Sequence, residues 1–244
     1  MRPQTADRVT RPKPTERDAL ARLVDGARMD QKTFHALYLK TPETFKAELI
    51  GGVVHVASPV RSWHGGPHIT AAAWVHYYSA KTTGTDRFSD TTSILGNENE
   101  PQPDVALVIR PDYGGTTRID RDGYLHGAPE LVVEVAVSST AIDLHQKRGE
   151  YERAGVREYV VLLPEDESVR WFVRRRGRFV ELDAGGGGIF RSETFFGLWA
   201  HPAAFFATDQ SQLYSILDQG LAAPEHAAFV AKLAARKTAK RKKK

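Results

Sequence analysis

An α/β fold with a mixed β-sheet is predicted by three features of the sequence. Two apolar, β-branched runs, residues 103–109 and 131–137, read as buried strands separated by a Gly-, Asp- and Arg-rich segment. A helical pattern follows the second run directly, at residues 141–154. Three short strand patterns then come in succession, at 157–163, 169–175 and 178–182. Strands interleaved with helices and closed by a meander imply a sheet with helices packed on it. The length, 244 residues, suits one large domain or one domain with extensions.

The elements follow in chain order. Residues 1–15 are rich in Pro and Arg and predict a flexible start. Helices are expected over 16–27, with Leu20, Leu23 and Val24 on one face, and over 31–39, where Phe34, Leu37 and Tyr38 recur at helical spacing. Gly51-Gly52 between residues 47–50 and 53–57 signals a hairpin, and Ser58-Pro59 ends it. A helix over 67–81 would turn Ile69, Ala72, Ala73, Tyr77 and Ala80 inward, and residues 88–95 suit a strand. Residues 110–127 read as a long loop. Ser138-Ser139-Thr140 supplies capping chemistry for the helix that Gly155 stops. Residues 202–235 are mostly helical, with breaks expected at Gly220 and Pro224.

Composition excludes several classes. The chain has no cysteine, so disulfides, thiolate zinc sites and cysteine nucleophiles are out, which fits a reducing, cytoplasmic setting. No apolar run approaches the roughly 20 residues that cross a bilayer. The net charge is +4, yet eight positive charges lie from Lys232 onward, leaving the rest of the chain at −4. A block of like charge at 232–244 predicts a disordered basic tail, either merely solvated or tethering a polyanion.

The chemistry centres on two carboxylates. Glu134 stands alone inside the valine-rich run Leu131–Val137, and Asp104 opens the run that ends at Ile109. A carboxylate in a buried strand is costly without a cationic partner, and two on neighbouring strands repel. A shared divalent cation would account for both. On the following helix Leu144, Lys147, Tyr151 and Ala154 fall at spacings of three and four, which puts a lysine in the apolar stripe. By strand alternation Val132, Glu134 and Ala136 share a face, so Lys147 has room to reach Glu134 from the helix. The same spacing also suits a structural ion pair without catalysis.

These residues resemble a known nuclease pattern. Pro103-Asp104, Glu134-Val135-Ala136 and Lys147 look like the PD-(D/E)xK signature with its lysine moved to the next helix. More specifically, the chain resembles the Uma-two family of restriction endonucleases over about residues 30–200. The carrying segments are Glu48-Leu49-Ile50-Gly51-Gly52, Ser58-Pro59 with His64, Gln102-Pro103-Asp104-Val105, Pro129 to Val135, Asp143 to Tyr151 and Ala154 to Tyr159. Many relatives carry an aspartate where this chain has Gly51.

The resemblance implies a restriction-endonuclease-like core, a mixed β-sheet flanked by helices, in a metal-dependent endonuclease cutting phosphodiester bonds, with DNA as the expected substrate. It implies Mg²⁺ or Mn²⁺ held by Asp104, Glu134 and the backbone carbonyl of Val135. Lys147 would orient the attacking water, Glu48 would assist the metal, and His64 and Gln102 would be placed to contact substrate. A homodimer is expected by the same analogy, and no membrane association. The implied division is an extension at 1–28, the core domain at 29–200, a helical extension at 201–231 and the tail at 232–244. A non-catalytic nucleic-acid-binding or scaffolding dimer of the same fold is the competing reading.

Two further patterns carry chemistry of their own. His64 and His68, four apart, have zinc-ligand spacing, but no third ligand is evident nearby in the sequence. Arg174-Arg175-Arg176 with Arg178 suits a solvated turn better than a phosphate contact.

Overall fold

The computed structural model describes residues 15–59, 61–137 and 140–241. The flexible start predicted for residues 1–14, the capping role of Ser138 and Ser139, and Lys242 to Lys244 lie outside the described residues.

Two short helices open the chain, α1 (Glu16–Arg22) and α2 (Gln31–Tyr38). Thr15 and Asp18 cap α1 reciprocally, and the Asp30 side chain accepts from Thr33 N to start α2. Ala19, Leu23, Phe34 and Leu37 bury against a hairpin of β1 (Ala47–Ile50) and β2 (Val53–Val56). Both residues of its turn, Gly51 and Gly52, have positive φ, the geometry a two-residue hairpin demands. Helix α1 stops at Arg22, short of its expected end, and Val24, expected inside, is 52% exposed.

Helix α3 (Ser62–Lys81) starts five residues before its predicted position and takes Pro67 into its second turn. Its buried face is Ala71, Trp74, Val75 and Tyr78, not the expected stripe, and Ile69 is 68% exposed. The larger aromatics decide the rotation, because they remove the most apolar area from water. Their polar ends are satisfied too: Trp74 Nε1 donates to Trp199 O (3.1 Å) and Tyr78 Oη to Phe196 O (2.9 Å).

The predicted strand at 88–95 is two strands, β3 (Thr85–Ser89) and β4 (Ser93–Ile94), with Asp90 at positive φ between them. After β5 (Val105–Ile109), the predicted long loop carries β6 (Arg118–Ile119) and β7 (Leu125–His126), which join β4 in a small sheet. Next come β8 (Leu131–Val135), β9 (Glu158–Leu163), β10 (Ser168–Arg175) and β11 (Arg178–Glu181). The central mixed sheet runs β11-β10-β9-β8-β5-β3, with only β8 and β9 parallel. Strands β5, β8 and β9 are buried throughout, which is why they read as apolar runs, interrupted only by Glu134 in β8 and Glu158 at the start of β9.

Between β8 and β9 the chain crosses over as a π-helical stretch, Ile142–Lys147, continuing into α4 (Arg148–Ala154). Gly155, at φ 98°, ends it in the left-handed conformation expected of a terminal glycine. The crossover covers one face of the sheet, where its Tyr151 packs with Val132, Ala136, Tyr159 and Val161. Helix α3 and the C-terminal helices α5 (Ser211–Ala222) and α6 (Pro224–Arg241) cover the other. The arginine-rich turn is tied by exposed ion pairs, Arg175 to Glu193 and Arg178 to Glu152.

The C-terminal part departs from expectation twice. Residues 232–241 are helical, not disordered, and Phe229 and Leu233 of α6 bury in the main core. Lys237 Nζ reaches Tyr113 Oη (3.1 Å) and Asp112 Oδ2 (3.4 Å), so docking offsets the like-charge repulsion of this segment. Gly220 lies inside α5 and breaks nothing. It is small because a Cβ there would lie 2.2 Å from Gly197 O and 2.9 Å from the Trp199 ring. Gly220→Ala should therefore destabilise by about 1–3 kcal/mol, the usual cost of overpacking, and a thermal melt measures it.

Candidate active site

The site forms on the α4 side of the sheet, where four chain segments converge. In the antiparallel β5–β8 pair the ladder ends with Val105 opposite Val133, and Asp104 lies just before β5 at that end. Asp104 Oδ2 accepts from Val135 N at 2.7 Å, which fixes the carboxylate at the end of β8.

Lys147 enters from the crossover helix and is almost fully buried. Its Nζ lies 2.8 Å from Glu48 Oε2, 3.2 Å from Glu134 Oε1 and 3.6 Å from Asp143 Oδ1. The ammonium thus bridges the hairpin, the strand and its own helix. Glu48 is set by Gln102 N, which donates to its Oε1 at 2.6 Å, while the Gln102 side chain donates to Tyr38 Oη (2.9 Å). Tyr151 Oη donates to Glu134 Oε1 at 2.8 Å. Of the four residues expected to converge, Glu48, Glu134 and Lys147 meet here, joined by Asp143 and the hydroxyl of Tyr151, while Asp104 lies against His64 and Val135 N and not against Lys147. The π-helical stretch contains both Asp143 and Lys147, and such widened turns occur often at functional sites.

Gly51 leaves this arrangement intact. A Cβ there would lie 2.7 Å from Glu150 Oε1, and Glu150 is itself held by Asn99 Nδ2 (3.0 Å). A carboxylate from α4 thus occupies the space beside the hairpin turn.

On the far side of Asp104 stand two histidines of α3. His64 Nε2 is 3.3 Å from Asp104 Oδ2, and His68 Nε2 is 2.9 Å from Asp104 O. Asp104 is the neighbour that the His64–His68 spacing lacked in the sequence. The contact joins positions 36 residues apart, beyond any local pattern.

Electrostatics separates the two carboxylates. Burial raises Glu134 well above the usual carboxylate range, and Lys147 offsets this only in part. Burial also pushes Asp104 up, but His64 and the Val135 N–H outweigh it and hold it below its ordinary value. The hydrogen bond to Asp104 raises His64 against the effect of its own burial. For Lys147, burial alone would depress the ammonium, but Glu134, Glu48 and Asp143 together hold it well above the ordinary lysine value.

The donor set fits a hard divalent cation. Glu134, Glu48 and Asp143 share one lysine, which leaves a surplus of negative charge at a buried position. Among the described residues no hydrogen bond reaches Oδ1 of Asp104 or Oε2 of Glu134, so oxygen acceptors remain on facing strands. Carboxylate oxygens are what Mg²⁺ and Mn²⁺ take.

The mixed sheet flanked by helices is that of a restriction-endonuclease-like protein. The comparisons agree. The family model of Uma2, described as putative restriction endonuclease, matches residues 32–204, and the chain belongs to this family. A solved structure from Anabaena variabilis, a putative nuclease of the DUF820 group, shares the fold at TM-score 0.51 and 14% identity, covering 74% of this chain and 96% of that one. The comparison with curated proteins gave no match. Among the described residues no helix is long and apolar enough to cross a membrane.

Proposed function

We propose that this protein is a metal-dependent endonuclease that hydrolyses phosphodiester bonds in DNA. The observation that carries the reading is the contact of Lys147 with Glu134 and Glu48, with the Asp104 carboxylate held at Val135 N on the same strand end. Asp104, Glu134 and the carbonyl of Val135 would hold Mg²⁺ or Mn²⁺, with Glu48 assisting. When bound, the ion supplies Lewis acidity: it lowers the pKa of a water and neutralises phosphate charge. Lys147 orients the attacking water through Nζ and offsets charge developing on the phosphate, a preorganised stabilisation that gains strength from burial. Tyr151 holds Glu134 in place, and the Gln102 N–H does the same for Glu48. A homodimer is the assembly this reading expects.

A second reading is favoured by the saturation of Lys147. Three carboxylates around one ammonium also describe a structural ion cluster in a nucleic-acid-binding scaffold without catalysis. Incubating supercoiled plasmid with the protein in Mg²⁺, Mn²⁺ or EDTA separates the two. The nuclease reading expects cutting that needs the metal and is lost in Glu134→Gln. Salt-sensitive DNA binding with no metal-dependent cutting by the wild type would decide for the scaffold.

A further inference from the structure

We propose that His64, His68 and Asp104 form a second metal site, selective for a transition metal of the Zn²⁺ or Co²⁺ kind. His64 and His68 lie one turn apart on α3, the i, i+4 spacing that sets two imidazoles on one helix face. Their ring centroids are 5.7 Å apart. Ligand atoms of His64, His68 and Asp104 all fall within 4.8 Å of one another. Two imidazole nitrogens and one carboxylate oxygen match the three-ligand set of open zinc sites, which keep a position for water or substrate. Imidazole selects for such metals, while Mg²⁺ keeps to oxygen donors. Donor chemistry therefore distinguishes this set from the Asp104–Glu134 oxygens, although Asp104 belongs to both.

The metal-free contacts define what binding must displace. His68 Nε2 lies 2.9 Å from Asp104 O and 3.1 Å from Ser89 Oγ. A carbonyl only accepts, so this nitrogen carries its proton when no metal is present. Coordination through Nε2 needs the other neutral tautomer, so the ring proton moves to Nδ1 and the Nε2 lone pair turns from the carbonyl to the metal. His64 Nε2 faces Asp104 Oδ2 from the preceding turn of the helix. Asp90 Oδ2, 3.8 Å from His68 Nε2 on the solvent side, offers a further oxygen.

The test is Co²⁺ titration of the untagged full-length protein, followed by visible absorption and calorimetry. Wild type should bind Co²⁺ with ligand-field bands. His64→Gln and His68→Gln should each weaken binding at least about 10-fold, while Glu134→Gln stays within about 3-fold of wild type. Unchanged affinity in both histidine variants overturns the site, and so does an equal loss in Glu134→Gln, which would assign the ion to the oxygen pair. Crystals of wild type soaked in Zn²⁺ give a readout free of variant misfolding. An anomalous peak about 2.0–2.1 Å from a nitrogen of both rings supports the site, and peaks elsewhere alone defeat it. The proposal stands apart from the nuclease reading: Co²⁺ binding lost in the histidine variants, in a protein that cuts no nucleic acid, upholds one and sinks the other.

Discussion

On the proposed nuclease function, Asp104→Asn is expected to lower Mg²⁺-dependent cleavage by at least about 100-fold while leaving the fold intact, since even outer-shell changes at metal sites cost 10–100-fold. Asparagine keeps the shape of the side chain and an oxygen to accept from Val135 N, so the local hydrogen bond to β8 survives. What it removes is the negative charge that Glu134 feels and that His64 contacts. The loss should therefore appear in single-turnover rates at saturating metal, with a melting temperature close to wild type. A variant that cuts as fast as the parent would take Asp104 out of the chemistry. A variant that melts early would give the carboxylate a structural part.

Lys147→Met should have the largest effect on stability. Removing one partner from a buried charge cluster leaves the others uncompensated, at a cost of about 3–5 kcal/mol. For a chain of this size that is a fall in melting temperature on the order of 10 °C. The deficit should depend on pH. Burial already holds Glu134 above the usual carboxylate range, and the ammonium is the main opposing influence. Without it the folded-state pKa of Glu134 rises further above the unfolded value. A group raised in this way leaves stability intact below its unfolded pKa, about 4, and withdraws it as pH rises toward the folded pKa. The variant should thus come closest to wild type in acid and fall furthest behind at neutral pH. A pH-independent deficit would mean that lost packing of the lysine stem, and not charge, sets the cost.

Much of this was legible in the sequence, for identifiable reasons. Strands β5, β8 and β9 announce themselves because burial on both faces demands continuous apolar runs. Glu134 and Lys147 stand out against such a background because each breaks it. Helix α3 was harder. It carries two candidate stripes at helical spacing, and only the site of the aromatic acceptors, Trp199 O and Phe196 O, selects the one with Trp74 and Tyr78. Gly220 reads as a breaker until its neighbour Gly197, distant in sequence, is in view. Asp143 escaped notice because a carboxylate in a first helical turn is ordinary, and nothing in residue spacing forecasts a π turn. The link from His68 to Asp104 runs through a backbone carbonyl, which no residue type encodes.

The π-helical stretch at Ile142–Lys147 has a consequence for how such chains diverge. A turn of this kind holds a residue more than an α-helix needs, so it behaves as an insertion already absorbed. Loss of one residue there can be met by tightening to ordinary α-geometry, with α4 and the aromatic packing of Tyr151 kept in register. The positions upstream of the tightened turn would rotate instead, carrying Asp143 away from the ammonium. Descendants of this fold can therefore shift the spacing between the acidic strand and the basic residue of the helix by single steps, without rebuilding the sheet.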